Sequence, residues 1–140
     1  MSTRALQRQL IENLREWQKL EHAQITLTGS VMELTSNPIV TLIMQIVQRD
    51  SEMHHRVQQL IIDSLESTVV GLTQADVDLV RDKLAAHLAM EKETVRLAEA
   101  SLAALAGHEL MIQEILMTFL RRDEEKHQEL LAALDGFLEA

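Results

Sequence analysis

The chain has no cysteine and no tyrosine, and only one proline and four glycines among its 140 residues. Without cysteine there is no disulfide framework, no thiolate metal ligand and no cysteine nucleophile. A reducing, cytoplasmic setting is the expectation. The shortage of proline and glycine leaves few helix breakers, which suits a small number of long helices. Aromatic residues are limited to Trp17, Phe119 and Phe137, too little material for stacking on bases or sugars. Positive charge is also scarce: 13 Lys and Arg stand against 22 Asp and Glu, for a net charge of −9. That balance argues against nucleic acid, which requires a basic face, and is compatible with cation binding. No run of 18 apolar residues is present, so no membrane span is expected. The opening segment, MSTRALQRQLIENL, lacks the apolar stretch of a secretory signal.

What remains is rich in Leu, Ala, Glu and Gln and 46% hydrophobic, enough to build the core of one ordinary domain. Three punctuation points divide it. Ser36-Asn37-Pro38 reads as a capped helix start with proline in the first turn. Gly71-Leu72-Thr73 stops one helix, and Thr73 with Asp76 forms a capping box for the next. Gly107-His108 is another stop. The spacing predicts helices near 3–34, 38–69, 74–105 and 109–138, each ~45 Å long. Short connections make neighbouring helices antiparallel, so the expected fold is all-α: an antiparallel up-down four-helix bundle filling one domain, 1–140. Two segments weaken this pattern. Thr26 to Ser30 is a place for helix 1 to kink or end, and the β-branched stretch within Ser67–Thr73 lengthens the second connection.

At 100° per residue each helix shows an apolar arc. Leu6, Leu10, Leu14, Trp17, Ile25 and Met32 are expected inward on helix 1, with Ile39, Ile43, Ile46, Val47, Met53, Val57, Leu60 and Ile61 on helix 2. Val80, Leu84, Leu88, Val95, Ala98, Leu102 and Leu105 follow on helix 3, and Ile112, Ile115, Leu116, Phe119, Leu130, Leu134 and Phe137 on helix 4. Ionisable residues interrupt each arc near its middle: Glu21 on helix 1, Asp50 and His54 on helix 2, His87 and Glu91 on helix 3, Asp123 and His127 on helix 4. Each lies within about one turn of its segment's midpoint, so four carboxylates and three histidines are expected at one level. Helices 2 and 4 also echo each other, Arg49-Asp50-Ser51-Glu52-Met53-His54 against Arg122-Asp123-Glu124-Glu125-Lys126-His127. Burying unpaired carboxylates costs several kcal/mol each. Divalent cations offset that cost, since carboxylates and imidazoles are their preferred ligands; His–carboxylate hydrogen bonds offset it without metal.

A Glu on helix 1, a carboxylate and His on helix 2, a Glu on helix 3 and a carboxylate and His on helix 4 resemble the ferritin-like di-iron carboxylate proteins, rubrerythrin-like members especially. His87-Leu-Ala-Met-Glu91-Lys and Asp123-Glu-Glu-Lys-His127 are similar to that family's third and fourth helices. The resemblance implies two iron ions, with manganese or zinc as alternatives, and oxidation, peroxide or dioxygen reduction, or iron handling. On that basis Glu21, Asp50, Glu91 and Asp123 are expected to supply oxygens. His54 and His127 are expected to supply nitrogens, with His87 a third nitrogen or a supporting partner. The family spacing is Glu-x-x-His, which this chain carries as Glu52-x-x-His55 and Glu124-x-x-His127. Position on the helix face favours the Asp50/His54 and Asp123/His127 register instead. The Cys-rich iron domain of rubrerythrins has no counterpart here. The competing reading is a metal-free helical interaction or scaffold module whose polar layer fixes register. In either case the wide arcs of helices 2 and 4, with Leu42, Met44, Ile62, Met117, Leu120 and Leu131, lead to an expected homodimer through those helices.

Overall fold

A computed structural model of the protein describes residues 1–67 and 71–137. It is all-α: four helices, and no strand among the described residues. Helix α1 spans Thr3–Leu34, α2 Pro38–Glu66, α3 Gln74–Leu105 and α4 Met111–Asp135. No described helix is long and apolar enough to cross a membrane.

The caps follow the local chemistry. Ser2 accepts the Ala5 amide through its hydroxyl at the start of α1. Asn37 caps α2, its side-chain oxygen taking the amides of Ile39 and Val40, while Pro38, which has no N–H to lose, opens the first turn. Thr73 and Asp76 form the capping box reciprocally at the head of α3. Gly107 sits at φ +78° after α3, a conformation glycine adopts without steric cost. Helix α2 ends at Glu66, short of the predicted 69, and residues 68–70 lie outside the described residues. Helix α4 starts at Met111 rather than 109, because Glu109 takes a positive φ of 53° that no right-handed helix accommodates; its predicted last residue, 138, is not among the described ones.

The soft segment Thr26–Ser30 does not break α1. The Thr26 hydroxyl donates to the His22 carbonyl, Thr28 to Ile25 and Ser30 to Thr26. The hydroxyls that compete for backbone groups thus bond back onto the helix itself.

The helices pair in sequence as two compact units, Met1–Gly71 and Leu72–Ala140. In the first, Gln18 donates to Gln59, Glu21 meets His54 and Ser51 donates to Gln24. Each step up α1 is a step down α2, so the pair is an antiparallel hairpin. In the second, Arg81 pairs with Asp135, Glu91 with His127 and Thr94 with Glu124, again antiparallel.

The seam of each hairpin alternates steps of four and three residues, the 3.5-residue repeat of a coiled coil. On α1 the seam runs Leu14, Gln18, Glu21, Ile25, Thr28, and on α2 Gln48, Ser51, His55, Gln58, Ile62, every one buried or half-buried. On α3 it runs Val77, Arg81, Leu84, Leu88, Glu91, Val95, Ala98, and on α4 Met117, Arg121, Glu124, Gln128, Leu131. Ile62 and Val77 are wholly buried, each contributing about 2 kcal/mol.

This placement corrects several sequence expectations. The apolar arcs are centred to one side of the seams. Leu6, Leu10 and Trp17, and Met53, Val57, Leu60 and Ile61, are exposed rather than inward. The seam of the first hairpin is instead largely polar, with Gln18, Thr28, Ser51 and Gln58 buried. Ile62, expected on an outer dimer face, is wholly buried in the hairpin seam, and Met117 and Leu131 are half-buried on theirs; Leu42 and Leu120 are the exposed members of that set.

Candidate metal centre

In the second hairpin the seam position of α3 brings Glu91 inward, 7% exposed. Glu124 and His127, one turn apart on α4, face it. The three offer donor atoms that all lie within 4.8 Å of one another. His127 turns Nδ1 toward both acids, 3.6 Å from Glu91 Oε1 and 3.8 Å from Glu124 Oε2. Its other nitrogen, Nε2, lies 3.4 Å from Asp123 Oδ2. A carboxylate beside the far ring nitrogen favours a proton there, so that the near nitrogen faces the two acids as a lone pair. His87, one turn before Glu91 on α3, holds Nε2 3.2 Å from Glu91 Oε1. His87, Glu91 and His127 open, with Leu130 and Leu131, onto a groove of about 340 Å³.

The two glutamates do not titrate alike. A hydrogen bond from Glu124 holds Glu91 below the ordinary carboxylate range; burial opposes this, and the charges of His127 and His87 assist it. Glu124 moves the other way, pushed up first by its hydrogen bond with Glu91 and then by burial. One proton shared between the carboxyl groups, held on Glu124, accounts for both shifts. Thr94 supports the pair: its hydroxyl oxygen is 2.8 Å from the Glu91 carbonyl oxygen, 3.0 Å from Glu124 Oε2 and 3.4 Å from Glu91 Oε2. The hydroxyl donates, its one proton lying between the Glu91 carbonyl and Glu124 Oε2, and its bond to Glu124 opposes the upward shift of that carboxyl.

The first hairpin holds a smaller group. Glu21 is 3% exposed. Its Oε1 accepts from Trp17 Nε1 at 3.1 Å and meets His54 Nδ1 at 3.2 Å. Its Oε2 is buried and has no hydrogen-bond partner among the described residues. A buried carboxylate oxygen left without a donor is costly, and a cation satisfies it directly.

Of the residues singled out from the sequence, Glu21 meets His54 in one hairpin, and His87, Glu91, Asp123 and His127 gather in the other. Asp50 is half-buried and takes part in neither group. Glu52 is exposed, and His55 serves the seam through its carbonyl, which accepts from Gln18. Glu124, placed off the arc by the sequence, stands beside Glu91, while Asp123 stands behind His127. Thr94 and Trp17 were not anticipated as partners of the acids. The heptad step Arg121-Glu124-Gln128 and the Glu124-x-x-His127 spacing were the signals for Glu124. The helix wheel missed it because the arc is centred away from the seam.

The donor set, carboxylate oxygens and imidazole nitrogen with no sulfur, fits iron, manganese or zinc. No family model matches the chain, and no curated protein or solved structure matches it either.

Proposed function

We propose that the protein is a metal-binding helical protein of the ferritin-like di-iron carboxylate kind, holding iron or manganese on the acid–imidazole groups of its hairpins. The observation that carries this reading is the approach of Glu91, Glu124 and His127 to within 4.8 Å across two helices, with Glu91 buried. The orphaned Glu21 Oε2 beside His54 supports a second ion in the first hairpin, which makes two per chain. When bound, such ions supply redox and Lewis-acid chemistry toward dioxygen or peroxide. The residues' own parts follow from their chemistry. Glu91 brings the standing negative charge, Glu124 brings a second charge once it gives up its proton, and Asp123 keeps the His127 ring turned.

Elemental analysis of purified protein, before and after anaerobic reconstitution with ferrous iron, tests this. About two transition-metal ions per chain are expected, with loss of metal in Glu91→Ala and His127→Ala variants that remain helical by circular dichroism. Absence of metal after reconstitution sinks the reading.

A second reading is favoured by a separate observation. Trp17, Met53, Val57 and Leu60 are each at least half exposed, more apolar surface than an isolated small protein usually leaves in water. On this reading the chain is a helical interaction module that self-associates. A sedimentation experiment showing a monomer at micromolar concentration removes it.

A further inference from the structure

Three contacts of the first hairpin have counterparts in the second. In the first, Trp17 donates to Glu21 Oε1, His54 Nδ1 meets the same oxygen, and Ser51 donates to Gln24. In the second, His87 meets Glu91 Oε1, His127 Nδ1 faces the same oxygen, and Thr94 meets Glu124. Trp17, Glu21 and Gln24 of α1 therefore occupy the places of His87, Glu91 and Thr94 of α3. Asp50, Ser51 and His54 of α2 occupy those of Asp123, Glu124 and His127 of α4, in line with the shared Arg-Asp-x-Glu-x-His segments.

One substitution between the halves changes the ligand chemistry most. Where α4 presents Glu124 to the cation, α2 presents Ser51, 2% exposed and bonded to Gln24. A neutral hydroxyl already engaged as a donor adds little to the hold on a divalent ion, whereas a carboxylate adds a full charge. A second exchange points the same way. Trp17, whose indole N–H can only donate, replaces His87, whose Nε2 faces Glu91 Oε1 and whose imidazole is a metal-ligating group. The first hairpin nonetheless keeps the buried, partnerless Glu21 Oε2, so it retains a point of attachment.

We propose that the protein has two unequal metal half-sites, the α3–α4 hairpin binding first and tightly, and the α1–α2 hairpin binding second and weakly because Ser51 stands where a carboxylate ligand would complete it. The inference rests on the metal-binding reading and goes beyond it in fixing the order of filling and the residue that sets it. It makes the weakly held ion the exchangeable one, the property expected of a protein that passes metal on or binds it conditionally.

Calorimetric titration of the metal-free, full-length protein with cobalt(II), a spectroscopically visible stand-in, tests this. Two steps of about one ion each are expected, separated at least tenfold in affinity. Glu91→Gln should remove the tight step and Glu21→Gln the weak one. Ser51→Glu should tighten the weak step about tenfold or more and narrow the gap; Ser51→Asp serves if the larger side chain prevents folding. Two indistinguishable steps, or a tight step that survives Glu91→Gln and is lost in Glu21→Gln, overturn the inference and leave the metal-binding reading standing. No binding of cobalt at all removes both. A weak step unchanged in folded Ser51→Glu and Ser51→Asp proteins overturns the role given to Ser51.

Discussion

His127 turns one ring nitrogen toward Glu91 and Glu124 and the other toward Asp123, so adjacent acids on α4 have different tasks. Asp123 acts through the ring, and its charge would reach a cation held by Glu91 and Glu124 only indirectly. Asp123→Asn should therefore lower metal affinity about 10–100-fold without changing the stoichiometry, as a competition titration against a chelating dye would read. Glu124 is distinguished by its proton. Its raised pKa means its contribution to stability is complete below the unfolded value and is lost as pH rises through the folded one. Glu91, with a lowered pKa, contributes fully above its unfolded value and loses that as pH falls through the folded one. The metal-free pair is thus most stable with one proton, between those limits. Glu124→Gln keeps a neutral partner at every pH. Urea melts of the metal-free proteins from about pH 4 to 8 should diverge, with the variant gaining on the natural chain as pH rises. Parallel curves would refute the shared proton. Metal binding in this variant should be lost from the second hairpin. These assignments were only half visible in the sequence. The types and levels of Glu21, His54, Glu91 and His127 could be read from the interrupted apolar arcs. The choice between Asp123 and Glu124 could not, because a wheel centred on the widest apolar face does not locate the seam.

At the scale of the helix, boundaries were the most legible feature, because caps are local chemistry. Ser36-Asn37-Pro38 and Thr73 with Asp76 start α2 and α3 where their side-chain hydrogen bonds require. Thr73→Ala should cost about 1 kcal/mol, seen as a fall of roughly 3 °C in the melting temperature. Gly29 tests the opposite case. It lies inside α1, and a Cβ placed there meets no atom within 4 Å. Gly29→Ala should stabilise the protein by about 0.5–1 kcal/mol, and destabilisation would show that the segment needs its glycine. What the sequence obscured was the inward face. Buried Gln18, Thr28, Ser51 and Gln58 are residues that a hydropathy pattern assigns to solvent. They become interior because the seam follows a 3.5-residue repeat and not the apolar maximum.

For the whole molecule, a net charge of −9 favours the approach of cations, and the acid–imidazole groups proposed to hold them sit on pairs of helices rather than in loops. Binding and folding are then linked: an ion that engages the folded hairpins and not the unfolded chain raises stability by about 2.7 kcal/mol at a hundredfold excess over its dissociation constant. A melt with ferrous iron or manganese should lie above one with chelator by several degrees. Coincident melts would separate the chain from metal altogether. The all-α class and the four helices were readable in advance because breakers are so few. The level of the acids and imidazoles along the helices was readable too, but not that Glu21 would meet His54, and Glu91 His127, within separate hairpins.

The glutamine-rich contact between α1 and α2 has one more implication. A purely greasy seam would let two rods slide past each other by a heptad at little penalty. Gln18 bonded to Gln59, one turn from the Glu21–His54 meeting, works as a detent: in any other alignment the amide loses its mate. The same polar stitch that weakens adhesion between the rods thereby keeps acid and imidazole abreast.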